Sequence, residues 1–446
     1  MEDTVGLQQG RVSAPFKFLV FIDDLAEELR TRVPKVRVMR VPAVPSSLLF
    51  ADDLLLLSAD RRCMSRALRI VGRWALRWKL EFGRGPDKTA SMHFFTHQRP
   101  DWDFTLLGAA TPWVEEYKYL GVVFDRNLNM EGHLAGITKK VVGPFFQCCA
   151  WARREGLALT ALLAMLDIYV VPKALYGSEL FVSVPACLKK LDLLQRRLGR
   201  WILRDRFAPN VVVLGELGWR TWSSLAWERA FGLWARLCSA ESWRPTNTLL
   251  VLSDSSPMGW VRTLREAATS WGIQPPQSPG FFAMDHAARE RYIRGEVRPR
   301  ILAKDFLAWR AALHSHTDPG ITFWAAGKAS KQLSAVHALE VFEPHAAAWV
   351  RISHGGGWLP GQRAFRFHTG SDTCPLCHIG PCDVWHSIAE CSITGDLCTW
   401  RADRAQEDIP TFLFQSVADR TLLKAHSWRL WQIEQRLLHV IGMARV

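Results

Sequence analysis

Apolar positions along the chain follow two different periods. Between residues 48 and 58, two short apolar runs, Leu48-Leu49-Phe50 and Leu54 to Leu57, flank Ala51-Asp52-Asp53. Each run is of strand length and an Asp pair is a turn signal, so the pattern predicts a tight hairpin with two carboxylates at its tip. From Asp60 the period changes. Met64, Leu68, Val71, Ala75 and Trp78 step by four and three, which predicts a helix capped by Asp60 and ending near Leu80. Arg61, Arg62, Arg66, Arg69, Arg73 and Arg77 fill its other faces. Upstream, Phe18, Ile22 and Leu25 have helical spacing behind Pro15, which suits a first turn. The adjacent Asp23 and Asp24 would then point about 100° apart and make a poor metal site. Val36 to Val41, Leu80 to Phe82, Lys88 to Phe94 and Tyr117 to Asp125 read as strands, the last with Gly121 inside it. Residues 1–130 are therefore expected to be α+β.

Beyond residue 133 the helical period dominates. Leu188, Leu191, Leu194 and Leu198 mark an amphipathic helix with Lys189, Lys190, Arg196, Arg197 and Arg200 on its other sides. Residues 241–280, rich in Ser, Pro and Trp, read as a linker with fragments of helix, and 285–350 as two or three further helices. No run of 18 uncharged apolar residues occurs, so no membrane span is expected.

Charge adds a partner class. The 446 residues hold 56 Lys and Arg against 43 Asp and Glu, a net charge of +13. Residues 136–206 alone hold 12 basic and 5 acidic residues. This excess favours a polyanion such as nucleic acid, and some of the 21 Trp could stack on bases. Ten Cys follow a start with no basic and apolar leader, which predicts an intracellular, nuclear or cytoplasmic protein with free or metal-bound thiols. Four residues, Cys374, Cys377, His386 and Cys391, have the spacing C-x2-C-x8-H-x4-C, enough soft ligands to close a structural Zn²⁺ site. His378 and Cys382 lie within reach as substitutes. Asp52 and Asp53 could hold Mg²⁺ for nucleotidyl transfer, or could form an ordinary solvated turn.

Taken together, the motifs resemble the polymerase portion of non-LTR (LINE-type) retrotransposon reverse transcriptases. Phe50-Ala-Asp-Asp53 resembles the family's [YF]-A-D-D hairpin, and Gly6-Leu-Gln-Gln-Gly10 with Pro15 and Phe18 its template-contacting loop and helix. Lys88-Thr89 with Met92 and Phe94 resembles the next palm motif. Tyr119-Leu-Gly-Val-Val-Phe-Asp125, followed by Leu128 and His133, resembles the hairpin that positions the primer end. Ala174 to Glu179 and Leu214 to Gly218 resemble segments after the palm, and the Cys374–Cys391 cluster stands where these elements carry a knuckle. By this resemblance Asp52, Asp53 and Lys88 are catalytic, with Mg²⁺ on the two aspartates. Gln9 and Gly10 would contact template or nucleotide, and Leu120 and Gly121 would position the primer. Arg11, Ala14 and Gly85 depart from the family's usual Cys, Ser and Asn.

The resemblance implies an α+β fold. A partial palm of antiparallel sheet and helices spans 1–132 and a helical thumb-like region 133–240. Residues 241–365 are a linker and helical region, 366–400 the zinc knuckle and 401–446 a helical tail. It implies an RNA-directed DNA polymerase acting on RNA template, DNA primer and dNTP. The family's first catalytic Asp motif and its fingers precede the Gln-Gly loop, so residues 1–446 are expected to lack both and to be inactive alone. The alternative is a non-catalytic nucleic-acid-binding remnant using the basic helices and the knuckle.

Overall fold

The computed structural model describes residues 12–38, 41–95, 100–240, 244–257, 259–276, 285–326, 331, 344–354, 359, 370–398, 401 and 420–440. The chain forms two compact units. One comprises Met1–Gly136, Leu180–Val184 and Ala230–Tyr292, and the other Ile137–Glu179, Pro185–Arg229 and Ile293–Val446. Helices predominate, accompanied by small antiparallel hairpins. No helix among the described residues is long and apolar enough to cross a membrane.

The first unit opens with α1 (Ala14–Arg32), carrying Pro15 in its first turn. It continues through β1 (Val36–Val38), β2 (Val41–Val44), β3 (Ser47–Phe50), β4 (Asp53–Leu56) and α2 (Arg61–Trp78). Asp60 caps α2 as its position predicts, accepting the Cys63 N–H at 2.9 Å. At the far end Lys79 adopts a left-handed φ of 54° and stops the helix. The stripes of α1 and α2 meet in one core. Ile22, Leu25 and Leu29 from α1 pack with Ala67, Ile70, Val71 and Trp74 from α2, and Leu49, Leu54 and Leu56 of the β3–β4 hairpin lie against them. Trp74 donates its indole N–H to Asp24 at 2.6 Å, so Asp24 locks two helices together.

Next come β5 (Phe104–Leu106), β6 (Ala109–Thr111), β7 (Glu116–Tyr119) and β8 (Val122–Asp125). The eight strands pair as four separate two-stranded ladders, β1–β2, β3–β4, β5–β6 and β7–β8. Three expectations change here. Tyr117 to Asp125 is not one strand but the β7–β8 hairpin, because Leu120 and Gly121 both take positive φ, 46° and 82°. Residues 80–82 and 88–94 form no ladder beyond an isolated bridge from Ser91 to Trp113. Local bonds compete with strand pairing there: the Lys88 and Thr89 N–H groups donate to the Gly85 carbonyl, and the Thr89 hydroxyl donates to Gly83.

The helices that follow are α3 (Glu131–Arg154), α4 (Leu159–Tyr169), α5 (Val171–Ala174), α6 (Pro185–Ile202), α7 (Asn210–Glu216) and α8 (Trp222–Cys238). Within 241–280, composition suggested a linker with helical fragments. The structure has two helices, α9 (Pro245–Ser255) and α10 (Trp260–Trp271), with Leu250, Val261, Leu264 and Ala268 buried. The series closes with α11 (His286–Tyr292), α12 (Arg298–His314), α13 (Pro319–Ala326), α14 (Pro344–Ser353) and α15 (Arg420–Val440).

In the second unit the α6 stripe behaves as its spacing predicts: Leu188, Leu191, Leu194 and Leu198 are all buried. Polar links join the helices. Gln195 of α6 accepts the Trp222 N–H and donates to the Arg220 carbonyl. Glu228 of α8 receives Arg220 and Arg298, each at 2.7 Å. Burial alone would raise the Glu228 carboxyl, but the two guanidiniums outweigh it and hold it below 4.5. A carboxylate with a lowered folded pKa stabilises above its unfolded pKa and loses that contribution as pH falls through the folded value. Glu228→Gln should therefore reduce stability at pH 7, with a deficit that shrinks as pH falls below 4.5. Urea melts across that window check this, and a deficit independent of pH would contradict it.

Candidate functional site

The β3–β4 register pairs Ser47 with Leu56, Leu48 with Leu55, Leu49 with Leu54 and Phe50 with Asp53. Ala51 and Asp52 are left as a two-residue loop, with Ala51 at φ 49°. Two-residue loops need positive φ, because their backbone must match the right-handed twist of the strands. Asp52 sits in the turn and Asp53 opens the return strand, both exposed. The hairpin with paired acidic tip residues is thus as the apolar–Asp-Asp–apolar pattern predicts.

The β7–β8 hairpin turns at Leu120 and Gly121, and its first strand feels the charge of Asp53. Burial raises the phenol pKa values of Tyr117 and Tyr119, and the negative charge of Asp53 raises both further. The Tyr117 hydroxyl donates to the Lys88 carbonyl at 2.9 Å. Asp53, the backbone of Lys88 and the first strand of the Leu120–Gly121 hairpin are therefore gathered into one neighbourhood. The aliphatic stem of Lys88 runs past Gly83, where an added methyl would meet it at 3.1 Å. Tyr117 and Tyr119 were legible only as part of a motif; that both feel the charge of Asp53 depends on how the chain folds over longer range.

Other acidic residues have separate tasks. Asp125 is buried and accepts the N–H groups of Asn127 and Met130 at 2.8 and 3.1 Å. It stands at the base of its hairpin, paired with Glu116, at the opposite end from the turn. Asp23 and Asp24 lie on α1, as their spacing predicts. His133 is buried and its Nδ1 accepts the Val123 N–H at 3.4 Å, tying α3 to β8. Gln9 and Gly10 lie outside the described residues.

The Cys/His cluster assembles as its spacing predicts. The ligand atoms of Cys374, Cys377, His386 and Cys391 all lie within 4.8 Å of one another. Among the described residues this is the one set of three or more such side chains close enough to share an ion. The Cys377 Sγ is 3.2 Å from His386 Nε2, and the Cys374 and Cys391 sulfurs are 4.0 Å apart. A tetrahedron with Zn–S of about 2.3 Å and Zn–N of about 2.0 Å has edges of roughly 3.5–3.8 Å, and these two separations fall on either side of that range, compatible with a shared ion after small adjustments. Local turns build the site. The His378 N–H bonds to the Cys374 carbonyl and the Cys374 N–H to that of Gly380, with His378 and Gly380 both at positive φ. Asp383 accepts the His386 N–H at 2.8 Å and starts the wide turn His386–Glu390, which the Cys391 N–H closes onto the His386 carbonyl at 2.7 Å. Arg401 donates to the Ile388 and Cys391 carbonyls, and Arg436 of α15 clamps Asp396 with two bonds of 3.1 and 3.0 Å. His378 is exposed and outside the cluster, and Cys382 is buried beside Ser387.

Residues 2–124 match the model of the family "Reverse transcriptase (RNA-dependent DNA polymerase)". The chain is similar to an "RNA-directed DNA polymerase from mobile element jockey" of Drosophila funebris, 25% identical over 218 residues, covering 45% of this chain and 23% of that protein. It is also similar to a "Probable RNA-directed DNA polymerase from transposon BS" of Drosophila melanogaster, 27% identical over 208 residues, covering 44% of this chain and 22% of the relative. The jockey protein of Drosophila melanogaster is 23% identical over 228 residues, covering 48% and 24%. The matched stretch thus spans about a quarter of each relative's length. The paired-aspartate hairpin thus lies in the segment that matches the reverse transcriptase family model, in a chain similar to RNA-directed DNA polymerases of mobile elements.

Proposed function

We propose that residues 1–132 act as part of a polymerase palm for RNA-templated addition of deoxynucleotides to a DNA 3′ end. The observation that carries this reading is the Asp52–Asp53 hairpin tip within the stretch that matches the family, with the charge of Asp53 felt by Tyr119. Asp52 and Asp53 would hold Mg²⁺, whose oxygen preference their carboxylates suit. Bound there, Mg²⁺ would supply charge stabilisation for nucleotidyl transfer. Lys88 would lie near the triphosphate, Gln9 and Gly10 against template or nucleotide, and Leu120 and Gly121 under the primer end. The partners would be an RNA template, a DNA primer and dNTP. The helices of 133–240 would serve as a thumb, with 241–365 as a connecting region and 401–446 as a helical tail. Cys374, Cys377, His386 and Cys391 would hold a structural Zn²⁺ in a knuckle spanning 366–400.

Two carboxylates fall short of the shared ligation that a two-ion site needs. Among the described residues no third carboxylate joins Asp52 and Asp53. This favours a second reading for residues 1–446 tested by themselves, in which they bind nucleic acid without extending it. Binding is testable directly. The seven-charge surplus over residues 136–206, 12 basic against 5 acidic, should give affinity for an RNA–DNA primer–template that falls steeply between about 50 and 200 mM salt. Fluorescence anisotropy over that range checks it; an affinity flat with salt, or none at the low end, would refute it.

A further inference from the structure

The second unit contains a cavity of about 1050 Å³ with five arginines in its lining. Arg153, Arg197, Arg200, Arg204 and Arg206 line it against a single carboxylate, Asp205. Trp201 and Phe207 are its aromatic walls.

The local fold explains this gathering. Arg197, Arg200 and Trp201 stand at i, i+3 and i+4 on α6, so one helix face carries them all. The helix ends at Ile202, and Arg204 then takes a left-handed φ of 54°. That backbone is strained for a residue with a side chain, and strained residues gather at ligand clamps. The turn brings Arg206 and Phe207 back to the same mouth, with the Arg206 guanidinium 4.6 Å above the Phe207 ring. Asp205 points elsewhere: its carboxylate is 3.1 Å from the buried His354 and accepts the Phe207 N–H at 2.8 Å. Arg200 is held in place, donating to the Ala208 carbonyl at 2.8 Å and to Asn210 at 2.6 Å. Trp201 is braced edge-on by Phe145 and Phe146 and is still 38% exposed. Phe207 is 43% exposed. Burial holds the Arg204 pKa below the ordinary guanidinium value, with Arg351 and Arg153 adding to this and Glu434 opposing it.

We propose that this cavity is a nucleotide subsite for a single nucleic-acid strand, in which the arginines take phosphates and Trp201 or Phe207 stacks a base. The inference rests on the nucleic-acid reading above and locates a contact for it outside the palm. Ligand clefts commonly occupy roughly 300–1,000 Å³, so the space suits a base with its phosphates better than a lone phosphate. Exposed aromatic faces beside a basic groove are the usual platform for unpaired bases, whose faces a duplex keeps stacked.

The test uses residues 1–446 with labelled RNA and DNA strands of about 12 nucleotides, a matched duplex, and single strands carrying 4-thiouridine or 4-thiothymidine for photo-crosslinking. In the wild-type chain, crosslinks should map to Trp201 or Phe207 and single strands should bind better than duplex. Arg197 and Arg206 are both exposed, so Arg197→Glu/Arg206→Glu should fold normally. This variant should weaken single-strand binding by about tenfold at 100 mM salt. It should also flatten the slope of log affinity against log salt by about 1.4, the share of two phosphate contacts. Arg236→Glu/Arg291→Glu makes the same change of net charge elsewhere and should cost less than about threefold. Pocket and control variants weakened equally, or crosslinks confined to other segments, would overturn the subsite while leaving the palm reading intact. No binding by the wild-type chain at about 50 mM salt would overturn both.

Discussion

Cys391→Ser should strip bound zinc from the protein, while Cys382→Ser should leave the metal in place. Cys391 is the better prepared ligand of the two. Burial alone would raise its thiol, but the N–H groups of Ile393 and Thr394, the Thr394 hydroxyl and Cys377 outweigh that and hold it below 9. Its sulfur converges with those of Cys374 and Cys377 and with His386. Cys382 is also buried, and burial drives its thiol upward, but it stands outside the four-ligand set. Cys377, pushed by burial up to about 11, must lose its proton when an ion binds, so metal loading should weaken on acidification. The energies are large: structural zinc in small knuckles contributes roughly 10–16 kcal/mol at neutral pH. Losing one of four ligands should therefore release the ion and unfold the turns around Cys374 and His386. Zinc analysis of the purified proteins decides it. Full zinc in Cys391→Ser, or none in the wild type, would refute the assignment.

Glu434→Ala should be strongly destabilising. Glu434 lies on α15, its side chain 1% exposed, and receives Arg351 of α14 through two bonds of 2.6 Å. Leu430, Ile433 and Leu437 of α15 and Ala348, Trp349 and Ile352 of α14 are buried around the pair. Removing one partner of a buried ion pair leaves the other charge without compensation and costs about 3–5 kcal/mol. The double variant Arg351→Met/Glu434→Leu should recover most of that loss, because an apolar pair of similar volume carries no desolvation penalty. Denaturant melts of the three proteins check the contrast. A double variant less stable than Glu434→Ala would show that the charges themselves hold these helices.

Local rules made much of the fold legible. The carboxylates fell at the hairpin tip because apolar runs of strand length on either side leave the Asp pair nowhere else to go. Asp60 capped α2 and the leucines of α6 were buried because both depend on neighbours within a helical turn. The cluster at Cys374 was legible because ligand spacing is itself geometry. The rest depended on longer range. Lys88 to Phe94 has strand-forming residues, but turn bonds to Gly85 and Gly83 claim its start. Leu120 takes positive φ, which its side chain resists, so the local pattern alone reads as one strand, and only the family resemblance implies the hairpin. The arginine cavity arises where one helix face meets the loop after a left-handed Arg204, and no spacing rule joins Arg153 to Arg206.

We propose that Asp52 and Asp53 supply part of a polymerase metal site that no other carboxylate among the described residues completes. Nucleotide transfer needs two ions held close together by fixed oxygens from more than one segment. Mg²⁺ keeps its waters unless the geometry is nearly ideal. Asp125 has its carboxylate engaged by backbone N–H groups and Asp24 is bonded to Trp74, so neither is placed to complete the set. The direct measurement is primer extension on an RNA template by residues 1–446 with Mg²⁺ or Mn²⁺, run beside Asp52→Ala/Asp53→Ala. The expected result is no extension from either protein. Extension by the wild-type chain above the double variant would contradict it and would mean that another acidic residue completes the site.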